Sequence, residues 1–117
     1  MPTPAERKAH MSYLSRNTEA VLLAIWKLKD NAYGLSIIEQ VERDTGTKWL
    51  PGAIYGILTR FKKNGWVRTA AIESGSSQVG RPRIYYKLTP LGLKALIAAQ
   101  EAVRSVWGGV PDLEKAG

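Results

Sequence analysis

PGAIYGILTRFKKNGWVRTAAI, residues 51–72, decides the fold. Pro51 suits the first position of a helix, where its missing N–H would have no partner anyway. Asn64-Gly65 supplies a left-handed stop. Between them Ile54, Ile57 or Leu58, and Phe61 recur at helical spacing and form a buried row. Gly52, Tyr55, Gly56, Thr59 and Lys63 follow i, i+3, i+4, i+7, i+11 and form one continuous outward stripe. Trp66 to Ile72 then reads as a strand, rich in β-formers at its start. A helix that is polar and basic outside, followed at once by a strand, is the seed of a winged helix-turn-helix.

Working outward, Glu73 to Gly80 is polar and glycine-rich and reads as a hairpin loop. Arg83 to Thr89 alternates, with Ile84, Tyr86 and Leu88 on one side and Arg83, Tyr85 and Lys87 on the other, which predicts the returning strand. Thr89-Pro90 caps and opens a long helix to about Trp107, which Gly108-Gly109-Val110-Pro111 breaks. Upstream, Ser15 opens a helix with Val21, Leu22, Ile25 and Leu28 at helical spacing, ended by Asp30-Asn31. A second helix runs from about Gly34 to Thr45, with Leu35, Ile38 and Val41 as its apolar row and Gly46 as its stop. Lys48-Trp49-Leu50 is an extended link, held out of the helical region by Pro51. Thr3-Pro4-Ala5-Glu6 predicts a short helix to about Tyr13.

The fold class is therefore mainly α with a small β component (α+β): a winged helix-turn-helix with an added C-terminal helix. Residues 1–14 form an N-terminal arm or short helix, 15–89 the winged domain, 90–107 the last helix and 108–117 a tail. The chain of 117 residues fits this as one compact unit.

The charge has a matching pattern. The net charge is +7, and residues 51–89 alone hold seven basic side chains against one acidic. A basic face on a small domain is the electrostatic footprint of nucleic-acid binding. The predicted third helix fits a major groove, and the loop reaches the neighbouring backbone or minor groove. Gly52 and Gly56 each cost a helix up to about 1 kcal/mol relative to Ala. Either close packing on the second helix or close backbone approach to DNA explains them. Tyr55 offers a phenol to phosphate or base, and Thr59 a hydroxyl and a methyl suited to a thymine C5-methyl. Arg60, Lys62 and Lys63, with Lys48 just ahead of the helix, suit phosphates and set orientation rather than sequence. In Gly80-Arg81-Pro82-Arg83, Arg81 suits a narrow minor groove, where negative potential is strongest, with Arg83 beside it.

The last helix is apolar on two sides. Leu96, Ala99, Val103, Val106 and Trp107 lie on one, and Leu91, Ala95, Ala98 and Ala102 near the other. Such a helix is too sticky for the edge of a monomer, so it is read as a dimerisation helix. A two-fold dimer presenting two binding helices matches a palindromic double-stranded operator. Trp49 and Trp66 are expected to pack in the core or hairpin, Trp26 and Trp107 at an interface.

Composition narrows the alternatives. There is no Cys and a single His, His10, so thiolate and His-cluster metal sites fall away and no metal or cofactor is expected. No nucleophile has an evident activator and no paired carboxylates sit near a base, which argues against an enzyme. No apolar run approaches the ~20 residues of a membrane span, and the first ten residues lack a signal-peptide core, so the expected location is the cytoplasm.

AVLLAIWKL (20–28), AYGLSIIEQVE (32–42), GAIYGILTRFKKNGWV (52–67) and GRPRIYYKLTPLG (80–92) resemble the PadR family of transcriptional regulators. The resemblance spans about residues 15–107. It implies a winged helix-turn-helix, a homodimer formed through the last helix, and usually repression of nearby genes. It places DNA binding on Gly52, Tyr55 and Lys63 and on Arg81 and Arg83. The single C-terminal helix is similar to the short subfamily. The family often has a Ser just before the third helix; Leu50 stands there in this chain, so Pro51 starts the helix alone. Control by a small hydrophobic or aromatic effector at the dimer interface is a further expectation. The competing function is a winged-helix protein–protein adaptor, for which an apolar third-helix face would be needed.

Overall fold

A computed structural model describes residues 14–72 and 83–116 of the chain. The predicted helix 4–13, His10, the loop tip and Arg81 lie outside the described residues. Four principal helices and one hairpin follow in the order α1 (Arg16–Leu28), α2 (Gly34–Thr45), α3 (Pro51–Lys63), β1 (Val67–Ile72), β2 (Arg83–Leu88) and α4 (Pro90–Trp107). A single turn, α5 (Leu113–Ala116), ends the described chain.

Each helix begins where the local chemistry dictates. Ser15 is extended and its Oγ accepts from the Thr18 N–H, pairing one of the unpartnered first-turn donors of α1. At α2 the Ser36 Oγ accepts from the Tyr33 N–H at 2.9 Å. No side chain caps α3 at Leu50, and Pro51 takes the first helical position. Gly46, with φ 73°, ends α2, and Gly65, with φ 75°, follows the end of α3; both sit in the left-handed region. One stop is unusual. Lys29 ends α1 with φ 54° and ψ −119°, a conformation suited to glycine, and its ammonium lies 3.6 Å above the Trp26 ring.

The core is built from one row per helix. Val21, Leu22 and Ile25 of α1, Ile37 and Val41 of α2, and Ile54, Leu58 and Phe61 of α3 are all fully or almost fully enclosed. Burying a side chain of this size contributes roughly 1.5–3 kcal/mol, so these three helices form the stable platform. Ile57 and Leu58 are both buried, which resolves the alternative at that turn. The α2 row differs from the sequence expectation. Ile37 takes the central place, Ile38 is half-buried, and Leu35 is 58% exposed. Helical side chains lean toward the N-terminus, so a first-turn residue such as Leu35 overhangs the core rather than entering it.

The link between α2 and α3 is fixed by α2 itself. Glu42 Oε2 accepts from the Trp49 N–H at 3.0 Å, and the Trp49 indole N–H donates to Thr45 Oγ1 at 3.2 Å. This sets the angle at which α3 leaves the turn.

The hairpin pairs Val67 with Leu88 through to Ile72 with Arg83, antiparallel. It is also stitched to the start of α2: the Tyr86 N–H donates to the Ala32 carbonyl at 2.7 Å, and Tyr33 forms a bridge with Tyr85. Thr89 closes the base. Its N–H donates to the Trp66 carbonyl, its Oγ1 donates to the Gly65 carbonyl at 2.6 Å and accepts from the Gly92 N–H at 3.0 Å. Gly92 has to be glycine, because a Cβ there would collide with the Trp66 carbonyl oxygen and with Leu88.

Candidate nucleic-acid interface

The inward row of α3 anchors the helix and leaves Gly52, Tyr55, Gly56, Thr59, Arg60, Lys62 and Lys63 exposed together, with Lys48 exposed just ahead. None of Arg60, Lys62 and Lys63 forms an ion pair with a described residue; the two described pairs are Lys27–Asp44 and Lys87–Asp30. No acidic residue occurs in α3, β1 or β2. The surface is thus cationic by composition and by the lack of internal neutralisation.

The two helix glycines behave alike. A Cβ added at Gly52 or Gly56 would meet no described residue outside its own helix turn within 4 Å. Neither position is needed for packing on α2, which removes the structural explanation considered from sequence. Close helix packing falls instead on Gly34, at the start of α2, where a Cβ would run into the Tyr55 hydroxyl. Tyr55 is 47% exposed, with its ring end resting over that glycine. This contact has no local signal: it joins residues on two helices and would need the fold in hand to be found.

Thr59 Oγ1 donates to the Tyr55 carbonyl at 2.9 Å, so its one proton is engaged inside the helix. Toward a ligand that hydroxyl is an acceptor, alongside its methyl. Burial pushes the Tyr86 phenol above the ordinary tyrosine pKa, and the nearby Tyr55 phenol adds to the effect. Tyr86 therefore remains a neutral hydroxyl at physiological pH.

On the hairpin, Arg83 places its guanidinium carbon 4.1 Å from the Tyr33 ring centroid, and Tyr33 meets Tyr85 edge-on at 5.5 Å. A hydrogen bond from the guanidinium to the Tyr85 side chain pushes Arg83 further above the usual arginine range. Arg83 remains exposed.

The residues expected to dimerise divide into two groups. Leu96 and Ala99 are each only 9% exposed and pack within the chain. Val103, Val106 and Trp107 are exposed, Val106 at 77%. Beyond Ala99 every residue of α4 is exposed. Beside this stretch an open groove of about 620 Å³ runs between α1 and α4, lined by Arg16, Glu19, Ala20, Leu23, Gln100, Val103 and Arg104. Trp49 and Trp66 pack against the core as expected, Trp66 with its ring 5.6 Å from Phe61, and Trp26 lies on the surface.

Among the described residues no group of three or more His, Asp or Glu side chains is placed to hold a metal ion. Among the described residues no helix is long and apolar enough to cross a membrane either.

Comparison with known proteins agrees with this geometry. Residues 22–98 match the model of the transcriptional regulator PadR-like family. No curated protein matches the sequence. A PadR-like transcription factor from Bacteroides fragilis is 26% identical, with a TM-score of 0.62 over 86% of this chain and 90% of that one. A PadR family regulator from Clostridium difficile is 24% identical, with a TM-score of 0.64 over 79% and 91% respectively. One from Eggerthella lenta is 22% identical, with a TM-score of 0.65 over 97% and 93%. The last two speak for the fold alone. With two-thirds of its length matched by the family model, and a platform of three helices, a hairpin and a long final helix, the chain belongs to the PadR-like family of transcriptional regulators.

Proposed function

We propose that the protein is a homodimeric, sequence-specific repressor that binds double-stranded DNA in the cytoplasm. In this reading α3 enters the major groove, and the hairpin lies on the neighbouring backbone or minor groove. Gly52 and Gly56 let the α3 backbone approach the duplex closely. Tyr55 and Thr59 face base edges, and Lys48, Arg60, Lys62 and Lys63 meet phosphates. Arg81 is assigned to the minor groove. The single observation that carries the reading is the open space over Gly52 and Gly56 on an exposed, cationic helix face. A helix interior keeps glycines at a cost, and no described residue packs against them to explain it.

The exposed Val103, Val106 and Trp107 supply the apolar surface for a two-fold partner, on which Leu96 and Ala99 act indirectly by holding α4 to its own domain. The groove between α1 and α4 opens beside that surface, and its Leu23 and Val103 side chains suit a small hydrophobic or aromatic effector.

Selection of bound sequences from a randomised duplex pool tests the reading. Enriched sites should be palindromic, with half-sites about 10 base pairs or a multiple apart. Enrichment of sites without two-fold symmetry, or none at low salt, counts against it. Light scattering on the Trp107→Ala and Val106→Asp variants should show a shift from dimer toward monomer.

A further inference from the structure

We propose that Arg83 is a positioning residue: its guanidinium, laid on the Tyr33 ring, clamps the root of the hairpin to the start of α2 and so sets where the hairpin meets a duplex. The inference rests on the DNA-binding reading, and it gives Arg83 a different role from the exposed lysines of α3.

Arg83 pairs with Ile72, the register position farthest from the hairpin's base among the described residues. One face of β2 carries Arg83, Tyr85 and Lys87, and all three turn toward the α1–α2 junction. Arg83 stacks on Tyr33, Tyr85 meets the same ring edge-on, and Lys87 reaches Asp30 at 3.4 Å. The Lys87–Asp30 pair is highly exposed on both sides and adds little. The Tyr33–Tyr85 bridge and the Tyr86-to-Ala32 hydrogen bond join the backbones nearer the base. Among the described residues the guanidinium–ring contact is therefore the outermost tie between hairpin and helix platform. A planar guanidinium suits this task, since it lies flat on a ring while its edge reaches a hydroxyl. Tyr33 is the residue preceding α2, and α2 fixes α3 through Glu42 and Trp49. One ring thus references the hairpin to the recognition helix.

The test uses the full-length protein and a duplex selected by the wild type from a randomised pool, with affinity measured across a salt series. For a clamp, Arg83→Ala and Tyr33→Leu each weaken binding about two- to fivefold, the range of an exposed cation–ring contact. The double variant is no weaker than either single one, because both remove the same contact. The slope of log affinity against log salt stays at the wild-type value, and Arg83→Lys restores binding only in part. A phosphate contact gives the opposite pattern and overturns the proposal: Arg83→Ala lowers the slope by about 0.9 per contact while Tyr33→Leu has no effect.

A readout without DNA separates failure of the clamp from failure of the DNA-binding reading. In Arg83→Ala the Tyr86 amide, bonded to Ala32, should exchange its hydrogen about two- to fivefold faster, with core amides such as that of Phe61 unchanged. Unaltered Tyr86 protection, or faster exchange throughout the core, overturns the clamp whether or not the protein binds DNA.

Discussion

Replacing Gly56 by Ala separates the demands of folding from those of binding. The position lies mid-helix in α3, and the added methyl would meet no described residue outside its own helix turn within 4 Å. Folding should therefore gain only the helix-propensity difference, about 0.8 kcal/mol, through a less flexible unfolded chain. For a domain of this size that raises the melting temperature by roughly 3–5 °C. Gly46→Ala provides the contrast: it also has open space, but its φ of 73° disfavours any Cβ, so the same change should destabilise by about 1 kcal/mol. On DNA the ranking changes. If the α3 backbone seats against base edges, the Gly56 methyl overfills that contact at about 1–3 kcal/mol, a loss of roughly 5- to 150-fold in affinity. Gly46→Ala, away from the face, should leave affinity unaltered in samples that remain folded. Thermal melts beside fluorescence anisotropy on a selected duplex give both numbers for each variant. A Gly56→Ala protein that melts higher and still binds as tightly as wild type would falsify close backbone approach. One that melts lower would show that the space over Gly56 is filled by the fold.

Three further outcomes follow from the geometry. Lys29→Gly should hold or raise the melting temperature, since relief of the strained φ of 54°, about 1 kcal/mol, exceeds the exposed Lys29–Trp26 contact, about 0.5 kcal/mol; a clear drop in thermal melts would contradict this. Gly92→Ala should destabilise by about 1–3 kcal/mol in denaturant titration, because the methyl would strike the Trp66 carbonyl rather than a yielding side chain. For Tyr86 the folded-state pKa lies above the ordinary 10, so the folded state holds that proton more tightly. Its contribution is complete below pH 10 and is lost as pH rises through the folded value, so Tyr86→Phe should flatten the alkaline decline in stability.

Much of this architecture is legible from local pattern. Ser15, Gly46, Pro51 and Gly65 act through their own backbone and next neighbours, as does Thr89 in capping Gly92, so each helix boundary they mark is visible in sequence. The α3 row Ile54, Leu58 and Phe61 is equally plain, because one buried face leaves one exposed face. Leu35 shows where periodicity runs short: three apolar residues in α2 share a spacing, yet only the lean of helical side chains decides which enter the core. Leu96 and Ala99 show a second limit. Apolar spacing on α4 marks a sticky side without saying whether the domain itself or a partner covers it, and here the domain takes the first half. Contacts between distant segments, such as Tyr55 on Gly34 and Arg83 on Tyr33, have no signature in either local stretch. The strain at Lys29 is likewise invisible, since its neighbours give no hint that a left-handed stop falls on a lysine.

Thr89 has a mechanical consequence. Four hydrogen bonds gather there the exit of α3, the closing strand of the hairpin and the first turn of α4, the fourth from the Leu93 N–H to the Thr89 carbonyl. With Gly92 pressed against the Trp66 carbonyl, the joint has no slack. An 18-residue rod about 27 Å long leaves that joint, so displacing its far end by about 5 Å corresponds to a rotation on the order of 10° at the hairpin's base. Two such rods joined at their tips would act as coupled levers, converting a change in the spacing of the protomers into a swing of both reading heads.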